Sequence, residues 1–547
     1  MKRIKQYIMF GAAALMTASC SDFLDTTPYD ALSPSTTWKT EQDAEKFAIG
    51  CYSGWEDGGR LLYMDCTSDF GYNNFSWEGY KDLANGNMTQ ANSGASFYGY
   101  TTIRRCNTFL NNVQSIEFAD EAVKKDLIAQ VRVLRAYKYF IMNWAYGGVP
   151  IIDNYDTAED AQVPRNTEQE VRDFIAKELD ECTPDLNKMP AERGRIAKGA
   201  ALALRMREAL YYDDWTMAKQ KAEEIIAMDE YDLEDDYLKL FQVAGQDSKE
   251  TILAVQYIPN TYTLYTIGQM YNNGDGGWSS IVPTYNLVDT YEMKNGMTID
   301  EQGSGYDATH PFKDRDPRLA MSVIYPGADY VKAGGAAAVF NTLDKTINGE
   351  SNANYMTSAD NASKTGLTWN KYLSPITQYA DIWKSNACPI VFRYAEVLLT
   401  WAEAENELNG PSDEVYKKIN KVRERAGMPD VDQAKYATKE ALRELIHRER
   451  AVEFAGEGLR RADILRWKTA DGKMLADKVL NGRLERRIGT VDASVSDPGL
   501  RATITLNPDP TEVLIENRSF QPFHRYFPFS QGDIDKNPKL EQNEGYK

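Results

Sequence analysis

The sequence predicts a mostly α fold, in which tetratricopeptide-like helix pairs form a scaffold that carries a large, irregular, loop-rich lobe with short β-strands. Segments with helical periodicity follow one another in pairs separated by short turns. Residues 230–388 lack that periodicity and are rich in Gly, Asn, Tyr and Thr. We therefore expect a single body over 38–547, with scaffold at about 38–229 and 389–470, the lobe between these two parts, and loops over 471–547.

The first 19 residues have the organisation of a bacterial lipoprotein signal peptide. Basic residues precede an apolar run over 7–16, which is too short to cross a bilayer, and small residues then lead to Cys20. We predict that the leader is removed and that Cys20 is lipidated, with residues 20–37 as a polar tether. The alternatives are a cysteine just beyond an ordinary secretory cleavage site and an uncleaved anchor.

Composition excludes several classes of function. The formal charge is −19, and loss of the three basic side chains of the leader takes it to −22, which argues against binding to nucleic acid or to anionic head groups. Only three histidines occur and no CxxC or HExxH motif is present, so we assign no metal ligands and no cofactor, and predict no zinc, redox or histidine-based chemistry. Residues 272–275 lack the spacing of an EF-hand, and a calcium site stays open without a location. An odd number of cysteines remains after Cys20: Cys51, Cys66, Cys106, Cys182 and Cys388.

Helical periodicity and capping signals place the scaffold helices. Thr167 with Glu170 is a capping box, and Gly147 with Gly148 and Pro150 is a stop signal. In the lobe, residues 251–257 have the pattern of a strand. The predicted helices cover residues 41–52, 100–113, 120–145, 167–186, 197–212, 215–227, 391–408, 414–426 and 438–454, and the last is expected to continue toward Trp467.

A dense group of charges in the last helical region could suggest catalysis. Its acidic members recur four residues apart on one helix face and are flanked by arginines, whereas a glycosidase needs two carboxylates held across a cleft. We interpret the group as ion pairs between helices, together with Arg393, Glu396 and Glu403, and His447 as a packing or surface residue. The group consists of Arg448, Glu449, Arg450, Glu453, Glu457, Arg460 and Asp463.

Six segments in order along the chain carry a family resemblance. They are CSDFLD from Cys20, RAYKYF from Arg135 with YGGVP from Tyr146, RYAEVLL from Arg393, VRERAG from Val422, RER from Arg448 with EGLR from Glu457 and DILRW from Asp463, and NP from Asn537 with QN and GY at the C-terminus. Together these segments resemble the SusD/RagB family of outer-membrane nutrient-binding lipoproteins. One departure is Ala455-Gly456 before Glu457, which reads as a local insertion.

The resemblance implies a tetratricopeptide-type scaffold and a location on the outer face of the outer membrane. It implies a non-catalytic role, in which the protein captures glycan, or in some members peptide, as a lid on a SusC-like TonB-dependent transporter. Ser21 and Asp22 after the cysteine are similar to the surface-export signal of such lipoproteins. No ligand-binding motif of the family matches residue by residue.

Aromatic residues within Asn/Gly-rich loops are the predicted ligand-binding residues. One cluster lies at 69–80 and another at 271–278. An aromatic face covers the C–H face of a sugar ring, while Asn and Asp side chains satisfy the hydroxyls at its rim. The alternative for each residue is burial in the body. The first candidates are Trp77 and Trp278. Tyr72, Asn73, Tyr271 and Asn273 rank second, and Trp369 and Trp383 rank last.

The sequence therefore favours a surface lipoprotein that binds oligosaccharide or polysaccharide and passes it to a transporter. Three alternatives stay open: the same role with a peptide ligand, a surface glycoside hydrolase, and an adapter that only gates the transporter. The hydrolase needs an acid/base pair that the sequence does not supply.

Overall fold

The structure is a computed structural model, and it describes residues 38–153, 157 and 159–546. Cys20, the leader and the tether lie outside the described residues. Helix accounts for 44% and strand for 10%, so the prediction of a mostly α fold is confirmed. Within the described part of the chain, no helix combines the length and the hydropathy needed to cross a membrane.

Ten helices, which we label α1 to α10, form the scaffold in the described residues. In chain order they are Glu41–Cys51, Thr101–Asn112, Glu121–Tyr146, Glu168–Cys182, Lys198–Tyr211, Trp215–Ala227, Tyr394–Asn409, Asp413–Arg425, Lys439–Glu453 and Arg460–Arg466.

The predicted start and stop signals act as expected at most of these helices. Thr167 and Glu170 form the capping box of α4, and α3 ends where Gly147 takes a φ of 65°. The prediction was wrong at two places. Residues from 391 begin as a strand, and α9 stops at Glu453 because Gly456 and Gly458 both take a φ of 80°, which breaks the helix before α10.

Helices that follow one another in the chain pack against each other, and most of their buried side chains belong to one large apolar core. α3 packs on α2 and α4, α5 on α6, and α7 on α6, α8 and α9, which matches the predicted tetratricopeptide-like arrangement. The faces between them hold fully buried side chains such as Leu134, Leu204 and Leu399. Burial of such faces, each side chain contributing about 1.5–3 kcal/mol, stabilises the scaffold.

The lobe and the C-terminal region are built from short strands and single helical turns. The strands β1 to β14 are Gly71–Asn73, Thr251–Ala254, Ile281–Pro283, Val323–Ile324, Asp329–Val331, Ala337–Val339, Thr346–Ile347, Glu350–Ser351, Thr368–Trp369, Ile390–Arg393, Asn481–Glu485, Gly489–Val491, Ala502–Ile504 and Leu514–Ser519. The antiparallel pairs are β1–β3, β2–β10, β4–β9, β5–β6, β7–β8, β11–β14 and β12–β13.

Short helices complete the body between these elements. They are Gly58–Tyr63, Lys81–Asn85, Tyr237–Leu240, Thr266–Met270, Tyr285–Thr290, Arg318–Ser322, Leu475–Val479, Pro498–Arg501, Pro510–Val513 and Gln531–Lys536.

A buried ion network joins the lobe to the scaffold. Arg393 contacts Glu250 at 2.6 Å and Glu453 at 2.8 Å, and Arg318 of the lobe contacts Glu453 at 3.0 Å. Burial alone would raise the pKa of Glu453, but the guanidinium groups around it hold the pKa well below its usual range. The predicted structural role of this charge group is confirmed, because its carboxylates are committed to ion pairs.

His447 is also a packing residue. Its ring stacks on Trp467 with centroids 3.9 Å apart, and its Nε2 lies 3.4 Å from Glu403. Glu403 in turn pairs with Arg466 at 2.6 Å. All five cysteines of the described residues are buried and unpaired by disulfides.

Candidate functional site

The pairing of β1 with β3 brings the two predicted aromatic segments together. Tyr72 lies opposite Val282 and Asn73 opposite Ile281. Beyond the strands, Asn74 N–H donates to the Ser280 carbonyl at 2.9 Å. Segments 69–80 and 271–280, distant in sequence, therefore share one edge of the lobe.

Trp77 projects from this edge into solvent. Its side chain is 75% exposed, more than any other large hydrophobic side chain among the described residues. The ring stacks on Phe75, which is buried, with centroids 4.5 Å apart and planes at 28°. This support holds one face of the indole still and leaves the rest available to a ligand.

Three further aromatic rings form a cluster on the adjoining loops. Trp278 lies 4.8 Å from Trp383 between ring centroids, and Tyr265 lies 4.7 Å from Trp383 and 5.9 Å from Trp278. Trp278 and Trp383 are half-buried, and Tyr265 is 47% exposed. We call Trp77, Tyr265, Trp278 and Trp383 the aromatic platform.

Glu78 and Gln269 connect the two parts of the aromatic platform. Gln269 Nε2 donates to Glu78 Oε1 at 3.0 Å, and Asn73 Nδ2 donates to Glu78 Oε2 at 2.5 Å. Burial and the nearby charge of Glu78 raise the pKa of Tyr265, so its hydroxyl stays protonated and can donate a hydrogen bond. Polar groups thus lie beside the rings, as recognition of a hydroxyl-rich ligand requires.

Three of the predicted ligand-binding residues do not reach the surface. Tyr72 and Tyr271 are buried, and Asn73 is fully enclosed. Asn73 uses its amide on Glu78 and on the Ser280 carbonyl, and the Tyr271 hydroxyl donates to the Ser374 carbonyl at 2.5 Å. Asn73 and Tyr271 fix the two loops through these hydrogen bonds, and Tyr72 packs with Val282 in a small apolar cluster. Direct contact with a ligand is therefore left to their neighbours.

Of the remaining candidates, Asn273 and Trp383 lie in loops and Trp369 lies in the core. Asn273 is half-buried and donates to the Ala353 carbonyl at 2.7 Å, which ties the loop to residues 352–354. Trp383 belongs to the aromatic platform, whereas Trp369 is 1% exposed and is a core residue.

Sequence reasoning missed the residues around 258–265. Tyr262 is 52% exposed and stacks on Tyr257 with centroids 5.0 Å apart and planes at 8°. Ile258 beside it is 57% exposed and bridges to Tyr262 across a tight turn. The sequence does contain a signal for these residues, because Tyr257-Ile258 and Tyr262-Thr263-Leu264-Tyr265 form an aromatic-rich turn. The turn follows directly on the predicted strand 251–257 and so resembles an ordinary strand end.

The arrangement offers binding surface and no evident catalytic pair. Glu78 is held by Asn73 and Gln269, and Asp381 accepts the Trp383 backbone N–H at 3.0 Å as a local cap. Within residues 38–153, 157 and 159–546, no group of three or more His, Cys, Asp or Glu side chains is placed to hold a metal ion. Stacking surfaces with hydrogen-bonding neighbours are suited to non-covalent binding.

Comparison with known proteins gives consistent matches over nearly the whole chain. Residues 245–546 match the model described as the SusD family, and residues 22–210 match the model described as starch-binding associating with outer membrane. The chain is 26% identical to SusD-like protein P25 of Formosa agariphila, covering 85% of this chain and 90% of that one. It is 24% identical to the starch-binding protein SusD of Bacteroides thetaiotaomicron, covering 81% and 77% respectively.

Solved structures agree with this result. The crystal structure of a SusD-like carbohydrate-binding protein from Bacteroides fragilis superposes with a TM-score of 0.78 at 27% identity, covering 92% of this chain and all of that one. A laminarin-binding SusD-like protein shares the fold, with a TM-score of 0.63 at 20% identity and coverage of 93% and 100%.

Proposed function

The chain belongs to the SusD family, and on that premise we propose that it binds oligosaccharide or polysaccharide on the aromatic platform, without catalysis. One observation carries the proposal. Tyr265, Trp278 and Trp383 form a cluster from distant segments. The hydrogen bond between Gln269 and Glu78 links that cluster to the segment that carries the 75% exposed Trp77. Exposed aromatic clusters of this kind mark binding surfaces.

A glycan fits this surface better than a compact ligand does. Several separate rings are exposed in this region, Trp77, Tyr262 and Tyr265 among them, so more than one sugar unit can stack on an aromatic face. The proposal also includes the cellular role: lipid anchoring through Cys20, a position on the outer face of the outer membrane, and transfer of the glycan to a SusC-like TonB-dependent transporter. The relatives described as carbohydrate-binding or starch-binding support the ligand class.

The absence of an evident acid/base pair at the platform argues for capture and release without bond cleavage. The carboxylates of the α9–α10 region belong to the ion network, where guanidinium groups keep the pKa of Glu453 and Glu457 low. A general acid requires the opposite, a carboxyl group with a raised pKa at the scissile bond.

Binding to a panel of polysaccharides by affinity electrophoresis and calorimetry tests the proposal. We expect retention by at least one glycan, and loss of that retention in the Trp77→Ala and Trp278→Ala variants. Asn112→Ala, a change at the last residue of α2 that removes one hydrogen bond within that helix, serves as the control. Unchanged retention by both tryptophan variants would refute the assignment of the platform, and release of sugar products would refute the non-catalytic role.

A further inference from the structure

A cavity of about 370 Å³ lies in the lobe beside the loop that carries Trp278. Tyr271, Asn272 and Asp275 of that loop line it, whereas none of the four rings of the aromatic platform does. Its other walls include residues of β4, β5 and β9, together with Asn370 and residues 373–376. The volume falls within the range of about 300–1,000 Å³ that is typical of small-ligand sites.

The aromatic walls of the cavity are held in place by other rings. Tyr325 stacks on Phe312 with centroids 4.3 Å apart and planes at 13°, and Tyr330 meets Phe340 edge-on at 5.4 Å. The hydroxyl of Tyr271 is fixed to the Ser374 carbonyl at 2.5 Å. The cavity therefore presents rigid apolar faces before any ligand enters, which lowers the entropic cost of binding.

One polar group of the cavity lacks a hydrogen-bond partner, and one carboxylate of the cavity lacks a counter-charge. Thr368 is fully buried in β9, lines the cavity, and its Oγ1 has no hydrogen-bond partner. Asp275 is 9% exposed and accepts hydrogen bonds from Ala333 N–H at 2.7 Å and Asn272 Nδ2 at 2.6 Å. No cation among the described residues forms an ion pair with it, although buried charges are usually paired.

The other carboxylate at the cavity, that of Asp329, is neutralised by an ion pair with Arg501 at 2.6 Å. The carboxylate of Asp275 has no such ion pair, so it gives the cavity a net negative charge. Burial, and to a smaller extent the charge of Asp275, raise the pKa of Tyr330 to about 12, so its hydroxyl stays protonated and can donate a hydrogen bond. A ligand that supplies hydrogen-bond donors, or a positive charge, would satisfy these groups, whereas an anion would be repelled.

We infer that this cavity is a second saccharide site, which accepts a single sugar unit with free hydroxyl or amino donors and rejects acidic sugars. The inference rests on the proposed function for the class of ligand. The rings of Tyr325 and Tyr330 supply apolar faces for the sugar, Thr368 Oγ1 accepts one hydroxyl, and Asp275 accepts from a second hydroxyl or from an ammonium group. A branch or terminal unit of a glycan that lies on the aromatic platform is one source of such a unit.

Methyl-labelled full chain, titrated with glucosamine, glucose and glucuronate, tests the inference by NMR. Ile324, Ala320 and Ala328 line the cavity and report on it, while Ile258, 57% exposed beside Tyr262, is the control methyl group. We expect shifts at the cavity methyls with glucosamine and glucose, glucosamine binding more tightly, and at least tenfold weaker binding of glucuronate. Equal binding of glucuronate and glucosamine, or no shift with any sugar, would overturn the inference.

Variants separate this site from the aromatic platform. Thr368→Val removes the hydroxyl at nearly constant volume and should weaken sugar binding at the cavity severalfold. Asp275→Asn should abolish the preference for glucosamine over glucuronate. Tyr330→Ala removes an aromatic wall of the cavity and leaves Thr368 and Asp275 unchanged. A thermal unfolding midpoint close to that of the unmodified chain confirms that each variant folds.

The two proposals fail in different ways. If Trp77→Ala abolishes retention by polysaccharide while the cavity methyls never respond to sugar, the proposed function stands and the second site is refuted. If the cavity methyls respond and both tryptophan variants retain polysaccharide normally, the second site stands and the platform is refuted.

Discussion

The indole rings of Trp278 and Trp383 lie with centroids 4.8 Å apart, although they belong to loops separated by the whole second half of the lobe. Gly268, in the helix Thr266–Met270, lies beneath them, and its carbonyl accepts the Trp278 backbone N–H at 3.3 Å. A Cβ atom added at Gly268 would overlap the Trp383 ring. The geometry of the platform thus depends on a residue that no ligand would touch.

We therefore expect Gly268→Ala to weaken glycan binding about tenfold without unfolding the protein. The added methyl group displaces Trp383, and the altered ring position removes a stacking surface worth about 1 kcal/mol or more. Calorimetric titration with the best-binding glycan measures the effect. Gly50→Ala is the matched control, since Gly50 is also helical and nothing lies within 4 Å of a Cβ there. Equal affinity of the two variants would contradict a positioning role for Gly268.

Loss of one charge from the ion network should destabilise the whole protein. Glu453→Gln leaves the buried guanidinium groups of Arg318 and Arg393 short of a counter-charge, at an expected cost of about 3–5 kcal/mol. Urea unfolding followed by tryptophan fluorescence measures the free energy of unfolding.

An exposed ion pair provides the comparison for that change. Asp247 pairs with Arg193 at 2.7 Å, with the two side chains 89% and 47% exposed, so Asp247→Asn should cost less than about 1 kcal/mol. If the Glu453 and Asp247 variants unfold at the same urea concentration, the network does not stabilise the fold in the way described.

Asp65 should make stability fall as the pH rises. Burial raises its pKa to about 7, while the hydrogen bond from Gly456 N–H at 2.6 Å opposes that rise only in part. Between the unfolded pKa near 4 and the folded pKa near 7, the folded state binds more protons. Stability from this residue is therefore complete at low pH and is lost as the pH rises through this window, by at most about 1.4 kcal/mol per pH unit.

Asp65→Asn isolates this contribution. The amide oxygen can still accept from Gly456 N–H, but the side chain no longer titrates. We expect the stability difference between the variant and the unmodified chain to grow in favour of the variant from pH 4 to pH 7. Parallel stability profiles over that range would show that Asp65 does not titrate there.

Cys20→Ala tests the predicted anchor. Without a lipidated cysteine, the protein should leave the membrane fraction, because the lipid chains provide its only predicted attachment. Glycan affinity in solution should stay the same, since the aromatic platform lies on the lobe. Membrane fractionation and surface labelling measure the first effect, and equal surface retention of the variant would contradict the lipoprotein prediction.

Much of the fold follows from local patterns. The helices of the scaffold begin at capping residues such as Thr167 and end at glycines such as Gly147, and both signals act over a few residues. The helix predicted from 391 failed because Ile390–Arg393 pairs with Thr251–Ala254, and that partner lies far away in sequence. A strand that depends on a remote partner leaves a weak local signal.

The candidate site divides in the same way. Composition alone singled out Trp77 and Trp278, because large aromatic residues in polar loops are costly unless they bind or pack. It could not separate them from Tyr72 and Tyr271, which are buried by contacts with residues that lie far away in sequence, Val282 for Tyr72 and the Ser374 carbonyl for Tyr271. Tyr265 and Trp383 join the platform through contacts between distant loops, so no local pattern identifies them.

The sequence by itself determined the family, because the acidic charge, the helix pairs and the family motifs are all local or additive properties of the chain. The pattern from which we predict the leader is local as well. The tertiary structure decided which aromatic side chains are exposed, which carboxylates are neutralised by arginines, and that Asp275 lines a cavity without an ion-pair partner among the described residues. These features depend on side chains that meet from remote parts of the chain, and burial and electrostatic pairing exist only once the chain has folded.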